Sequence, residues 1–107
     1  MSGLDGLQKW LIPYAESLIG LAPRGSLRVT SVIRTRAHQQ KLYAARRAGR
    51  WPYPVAPPGC SQHEYGYAWD MVGDAALLRE LGAIWKSWGG QWGESDPIHF
   101  GLRGGVC

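Results

Sequence analysis

Two short stretches of this chain carry side chains able to do chemistry. In "GCSQHEYGYAWDM", residues 59 to 71, His63 precedes Asp70 by seven positions, and in "ESDPIHF" Asp96 precedes His99 by three. Asp70 stands beside Trp69 and Met71, where an unpaired carboxylate would be costly, so it needs a cation or a metal as partner. A straight strand turns residues seven apart to opposite faces. His63 and Asp70 can therefore share a ligand only if the chain bends between them, and Gly66 is where a bend can be made. A tight turn beginning at Asp96, with Pro97 in its second position, would bring Asp96 and His99 to one side. Two imidazoles and one carboxylate are a common ligand set for catalytic zinc, with a fourth position left for water. A further carboxylate beside that water would act as general base. Spacing alone leaves two readings open: a metal site of this kind, or polar side chains that are each satisfied separately.

A small set of elements must position these groups. Leu4, Leu7, Leu11, Ala15 and Leu18 recur at three- and four-residue spacing, which predicts an amphipathic first helix bent at Pro13. "SLRVTSVIR" places Leu27, Val29, Ser31 and Ile33 on one face of a half-buried strand. "TRAHQQKLYAARRAG" predicts a second helix with Thr35 as N-cap and Gly49 as stop. "RWPYPVAPPG" holds four of the seven prolines and reads as an extended surface loop. "YGYAWDMV" predicts a second strand, and Asp74 a cap for a third helix carrying Leu77, Leu81, Ile84, Trp85 and Trp88, ended by Gly89 and Gly90. "PIHFGL" predicts a last short strand. The order implies an α+β fold, a small antiparallel sheet flanked by about three helices.

At 107 residues, 45% hydrophobic and 19% charged, the chain is expected to form one ordered domain spanning residues 1 to 107. Six tryptophans fit core packing first and groove lining second. The net charge is +4 and the pI is near 9.4. Arg28, Arg34, Arg36, Lys41, Arg46, Arg47 and Arg50 supply much of that charge. Such a cluster attracts polyanions, nucleic acid or cell-wall polymer alike, but no nucleic-acid motif accompanies it. Cys60 and Cys107 could form one disulfide, with two free thiols as the expectation. The first twenty residues lack a basic region followed by an unbroken apolar run, so neither a secretory signal nor a membrane span is expected there.

The motifs resemble those of the M15 zinc peptidases, the group of D-alanyl-D-alanine carboxypeptidases and L-alanyl-D-glutamate endopeptidases. Ser61, His63, Gly66, Ala68 and Asp70 fill the fixed places of S-x-H-x-x-G-x-A-x-D. Upstream, "SVIRTRAHQ" resembles the family's S-G-aromatic-R-S/T-x-x-x-Q element at Ser31, Arg34, Thr35 and Gln39, with Val32 in place of the glycine. Downstream, "WGGQWGESDPIHF" resembles the W-G-G-D-W…D-x-x-H-F ending of the endopeptidase branch found in phage endolysins, with Gln91 in place of the first aspartate. The elements follow in family order across residues 31 to 102.

The resemblance implies that His63, Asp70 and His99 bind Zn²⁺, that Asp96 is the base, and that Arg34 polarises the substrate carbonyl. Ser61, Gln39 and Trp92 would lie on the substrate side. It further implies a peptidoglycan stem-peptide hydrolase without nucleic-acid or membrane-spanning partners, expected as a monomer made in the cytoplasm and acting on the cell wall after release by lysis machinery or carriage on a virion. The L-Ala–D-Glu bond is the first expectation and D-Ala–D-Ala the alternative. A non-catalytic wall-binding module is another reading. A hydrolase using Cys60 as nucleophile and His63 as base is disfavoured, because no nearby basic group would lower the thiol pKa.

Overall fold

The computed structural model describes residues 3–107. In chain order the elements are α1 (Ile12–Ile19), β1 (Arg28–Ser31), α2 (Arg36–Arg47), a one-turn 3-10 helix (Gln62–Glu64), β2 (Trp69–Val72), α3 (Ala75–Ser87), β3 (Gly90–Gln91) and β4 (His99–Leu102). The four strands form one antiparallel sheet in the order β1-β2-β4-β3. This is the expected α+β architecture, with β3 added as a two-residue pairing too short to leave a periodic signal.

Local chemistry sets the helix ends. The Thr35 hydroxyl accepts from His38 N at 3.1 Å, and Asp74 Oδ2 accepts from Ala76 N and Leu77 N; each satisfies backbone donors that the first helical turn leaves free. The leading segment differs from expectation. Leu4, Leu7, Leu11, Ala15 and Leu18 are all buried, but α1 begins only at Ile12, with Pro13 in its first turn. Proline is tolerated there because its missing N–H would be unpaired anyway. Ahead of it, Gly6 takes a left-handed φ of 104° and the chain runs in turns, so the apolar spacing serves burial without a continuous helix.

The first strand also departs from simple alternation. Its register with β2 shifts between Val29 and Ser31, and beyond the shift Val32 is buried while Ile33 is 58% exposed. An extra residue in a ladder reverses which side chains face the core.

Trp69 and Met71 of β2 point to the core with Phe100 of β4, all fully buried, and meet Leu78, Leu81 and Trp85 of α3. Trp69 stacks on Phe100 with ring centroids 5.5 Å apart and meets Trp85 edge-on at 5.0 Å. Trp10, Trp51 and Trp88 are instead exposed, so core packing claims only part of the tryptophan set. Among the described residues no helix is long and apolar enough to cross a membrane.

The expectation of free thiols is corrected. Cys60 and Cys107 form a disulfide across 47 positions of sequence, with Cα atoms 5.1 Å apart. Nothing local brings the two together. The pairing follows from β4 lying beside β2, which returns the chain past the loop ahead of Gln62.

Candidate metal centre

Strand alternation sends Trp69 and Met71 into the core, so Asp70 faces the opposite side of β2. Its neighbour across the β2–β4 ladder is His99. The third group comes from outside the sheet. His63 sits on the 3-10 turn, where Ser61 Oγ accepts from His63 N, and the Glu64 carboxylate closes a capping box onto Ser61 N. Gly66, at φ 74°, then reverses the chain into β2. A Cβ at Gly66 would collide with the Gly6 carbonyl oxygen. The bend required by the seven-residue spacing is therefore made, with His63 lifted off the strand.

The three side chains converge on one atom. His63 Nε2 lies 3.1 Å and His99 Nδ1 3.3 Å from Asp70 Oδ1, and the ligand atoms of all three residues fall within 4.8 Å of one another. The other ring nitrogen of His63, Nδ1, is 2.8 Å from the Val32 carbonyl oxygen, which can only accept. Nδ1 therefore carries the hydrogen, and a neutral His63 turns its Nε2 lone pair toward the carboxylate. Two lone pairs facing each other at this distance require a cation between them, either a proton or a metal. Ligand atoms about 2.1 Å from a tetrahedral zinc stand about 3.4 Å apart, close to the separations observed. His63, Asp70 and His99 can hold a metal ion, and the two-nitrogen, one-oxygen set fits zinc.

Electrostatics separates the two aspartates of the site. Where a proton rather than a metal lies between the rings and Asp70, burial pushes its carboxyl up, but hydrogen bonds from the protonated His63 and His99 and their charge outweigh it and hold it well below the usual carboxylate range. Asp96 is shifted the other way. Burial and the nearby Asp70 charge raise it, against the opposing pull of His99, His63 and Arg34. Asp96 stands at the head of the expected turn, its carbonyl accepting from His99 N at 3.1 Å. Arg34 is braced from three sides: NH1 donates to Gln39 Oε1 at 2.8 Å, NH2 donates to Ser31 Oγ at 3.2 Å, and NH2 lies 3.6 Å from Asp70 Oδ2.

These groups line a groove of about 460 Å³, together with Trp51, Tyr53, Ser61, Gln91 and Gly105. Its two ends differ in character, with charge and imidazole at the floor and aromatic rings and backbone on the walls.

No protein-family model matches the chain, and no curated protein matches it significantly. Solved structures do resemble it. The D,D-pentapeptidase VanY of a VanB-type vancomycin resistance cassette, a mutant in complex with Zn(II), superposes with a TM-score of 0.68 at 22% identity over 92% of this chain and 73% of that one. VanYB in complex with D-alanine-D-alanine gives 0.68 at 21% identity over 92% and 72%. The L-Ala D-Glu endopeptidase ChiX of Serratia marcescens gives 0.66 at 20% identity over 94% and 83%. The chain shares the fold of these peptidases.

Of the residues singled out from sequence, His63, Asp70, His99, Asp96, Arg34, Ser61 and Gln39 all meet in the groove. Gln39 is buried, with both ends of its amide engaged inside the protein, Oε1 by Arg34 and Nε2 by the Ala56 carbonyl at 2.7 Å. Trp92 lies elsewhere. Its indole packs against Gly82, and its N–H donates to the Pro97 carbonyl at 2.8 Å, bracing the turn that carries Asp96 and His99. It borders a separate recess with Lys86 and Arg103. The Val32 carbonyl that orients His63, and Gln62, whose amide bonds both Leu102 N and Leu102 O, carry no sequence signal because their roles depend on partners 31 and 40 positions away. The Trp51 and Tyr53 walls did carry one, the aromatic residues inside the proline-rich loop.

The basic cluster is used partly within the fold. Arg36 pairs with Glu64, Arg46 NH1 donates to the Trp51 and Pro52 carbonyls, and Arg47 lies over the Tyr43 ring.

Proposed function

We propose that this chain is a zinc-dependent peptidase of the peptidoglycan stem peptide, cleaving the L-Ala–D-Glu bond. The observation that carries the reading is the meeting of His63 Nε2 and His99 Nδ1 at Asp70 Oδ1, in a groove that Asp96 and Arg34 also line. A purely structural metal site has no use for the last two.

Zinc, when bound, lowers the pKa of a coordinated water to about 7 and so supplies a nucleophile near neutral pH. Asp96, with its carboxyl raised by burial, is suited to take a proton from the attacking water and return it to the leaving amine. Arg34 presents fixed N–H donors toward the groove, where negative charge develops on the carbonyl oxygen; one such donor is typically worth about 3 kcal/mol. His63, held by Val32, keeps its Nε2 directed at the site through turnover. Trp51 and Tyr53 offer flat apolar surface to the substrate chain.

The choice of bond rests on aspartate at position 96 and on the resemblance to the W-G-G-D-W…D-x-x-H-F ending of the endopeptidase branch, from which Gln91 departs, and the ChiX likeness agrees with it. D-Ala–D-Ala carboxypeptidase activity is the second reading, favoured by the likeness to VanY structures. A phage lysis or tail enzyme acting as a monomer on the wall is the biological setting that suits this chemistry. The Cys60–Cys107 disulfide suits work in an oxidising compartment such as the periplasm or the cell exterior.

The test combines metal analysis with mass spectrometry of digested peptidoglycan. One zinc per chain is expected, with products ending at L-Ala and beginning at D-Glu, and Asp96→Ala is expected to retain zinc while losing cleavage. Products lacking only a terminal D-Ala would assign the carboxypeptidase reading. A protein without zinc, or an Asp96→Ala variant as active as its parent, would overturn the proposal.

A further inference from the structure

The disulfide connects two parts of the groove. Cys60 directly precedes Ser61, the cap of the turn that carries His63, and both Cys60 and Gly105 line the groove. Past Leu102 the chain has little else to hold it. Among the described residues, no hydrogen bond or ion pair ties residues 103–107 to the rest of the fold; Cys107 Sγ lies 3.9 Å from the Gly59 carbonyl oxygen but, as a disulfide sulfur, has no hydrogen to donate. Arg103, Gly104 and Gly105 are exposed and only Val106 is half-buried, and a Cβ at Gly104 or Gly105 would touch nothing within 4 Å. Both glycines take left-handed φ values, 93° and 77°, a choice among many open to glycine. Ordering each residue costs about 1–2 kcal/mol of backbone entropy, and the partial burial of one valine offsets only a small part of it. The crosslink is what places this segment.

We propose that the Cys60–Cys107 disulfide holds Gly105 in place as part of the wall of the substrate groove, so that the groove is complete only in the oxidised chain. Gly105 presents bare backbone to the groove, an edge that an extended peptide can hydrogen-bond. This deepens the peptidase reading and rests on it for the nature of the ligand. Reduction would free the segment and remove the wall, leaving His63, Asp70 and His99 where β2, β4 and the Val32 carbonyl hold them. The consequence is a redox-dependent affinity for substrate with unchanged metal binding. Two electrons and two protons convert the bond to two thiols; tris(2-carboxyethyl)phosphine supplies the electrons and leaves as the phosphine oxide, taking its oxygen from water.

The experiment uses the Asp96→Ala chain, which is expected to hold peptide without cleaving it. Its affinity for the tetrapeptide L-Ala-γ-D-Glu-meso-diaminopimelate-D-Ala is measured by calorimetry in the oxidised form, the phosphine-reduced form, and a form also carrying Cys60→Ser and Cys107→Ser. Binding about tenfold weaker in the two open forms, equivalent to about 1.4 kcal/mol, at equal zinc content, supports the proposal. Equal affinity in all three overturns it, as does loss of zinc together with affinity, which would mean that the disulfide acts on the His63 turn. NMR order parameters of residues 103–107 give a reading independent of peptide: about 0.85 when oxidised and below about 0.6 when open are expected, and values unchanged on reduction overturn the proposal. Should the oxidised form bind no tetrapeptide, the peptidase reading fails, and the order parameters alone decide whether the crosslink holds the segment. The reduced parent covers the case in which the serine variant does not fold.

Discussion

The floor of the groove lies on β2 and β4, where Asp70 and His99 are cross-strand neighbours above a core of Trp69 and Phe100. The walls are the proline-rich segment 50–59 and the last segment at Gly105, neither of which contributes a strand or helix. The floor is held by a hydrogen-bonded ladder and fully buried side chains. The walls are held by separate point attachments, among them Gln39 Nε2 to Ala56 O, Arg46 NH1 to the Trp51 and Pro52 carbonyls, Gly59 N to the Glu64 carboxylate, Tyr65 OH to Gly59 O, and one disulfide. Groups that must meet at one atom sit where many contacts determine their positions, while groups proposed to meet the substrate sit where sequence can vary without disturbing the floor.

Substitutions on the floor and on the walls should therefore fail differently. His63→Ala should have the largest effect. It removes a ligand, and since disturbing only a residue behind a ligand costs 10- to 100-fold in metal affinity, a loss beyond about 100-fold is expected in a chelator competition. Retained zinc would mean that the floor is misassigned. Arg34→Lys comes next, because an ammonium cannot serve Gln39, Ser31 and a substrate carbonyl together. A fall in kcat of about 100- to 1000-fold is expected, with zinc content unchanged. Gly66→Ala tests the bend that joins the two halves of the site. Its methyl would meet the Gly6 carbonyl in a left-handed backbone, and thermal melts should show a loss of about 1–3 kcal/mol.

Smaller effects are expected at the edge of the site. Burial raises the Glu64 carboxyl, but bonds from Arg36 and the backbone N–H groups of Gly59 and Ser61 bring it below its ordinary value of 4.5. A depressed carboxyl stabilises the fold fully above that value, and the benefit is lost as pH falls through the folded-state pKa. Glu64→Gln should lower stability by about 1 kcal/mol at neutral pH and flatten the acid limb of the stability curve; an unchanged limb would show that the capping box contributes nothing. Trp51→Ala, on the wall, should raise KM by a few-fold with kcat intact, as expected for losing an aromatic contact of about 1 kcal/mol. A fall in kcat instead would erase the distinction between floor and wall.

Much of the site could be read before the fold was known, for reasons particular to each residue. Thr35 and Asp74 cap the next few backbone N–H groups, and the Asp96–His99 turn closes on itself within four residues, so their neighbours in sequence suffice. The conflict between His63 and Asp70 was also visible, together with Gly66 as its resolution. The continuous first helix, the alternation through Ile33 and the free thiols did not hold. Each turned on a distant event: the left-handed Gly6 packed under Gly66, the register shift against β2, and the return of the chain past Cys60.

The sequence by itself determined which atoms could bind a metal, where the second and third helices begin, and that the chain must bend if His63 and Asp70 are to share a ligand, because these depend on side-chain chemistry and contacts a few residues long. Only the tertiary structure decided that the Val32 carbonyl would fix the His63 tautomer, that Trp92 would brace the Asp96–His99 turn, and that Cys107 would reach Cys60. Those outcomes depend on strand register and chain closure across tens of residues, where a shift of one position changes the face every side chain presents.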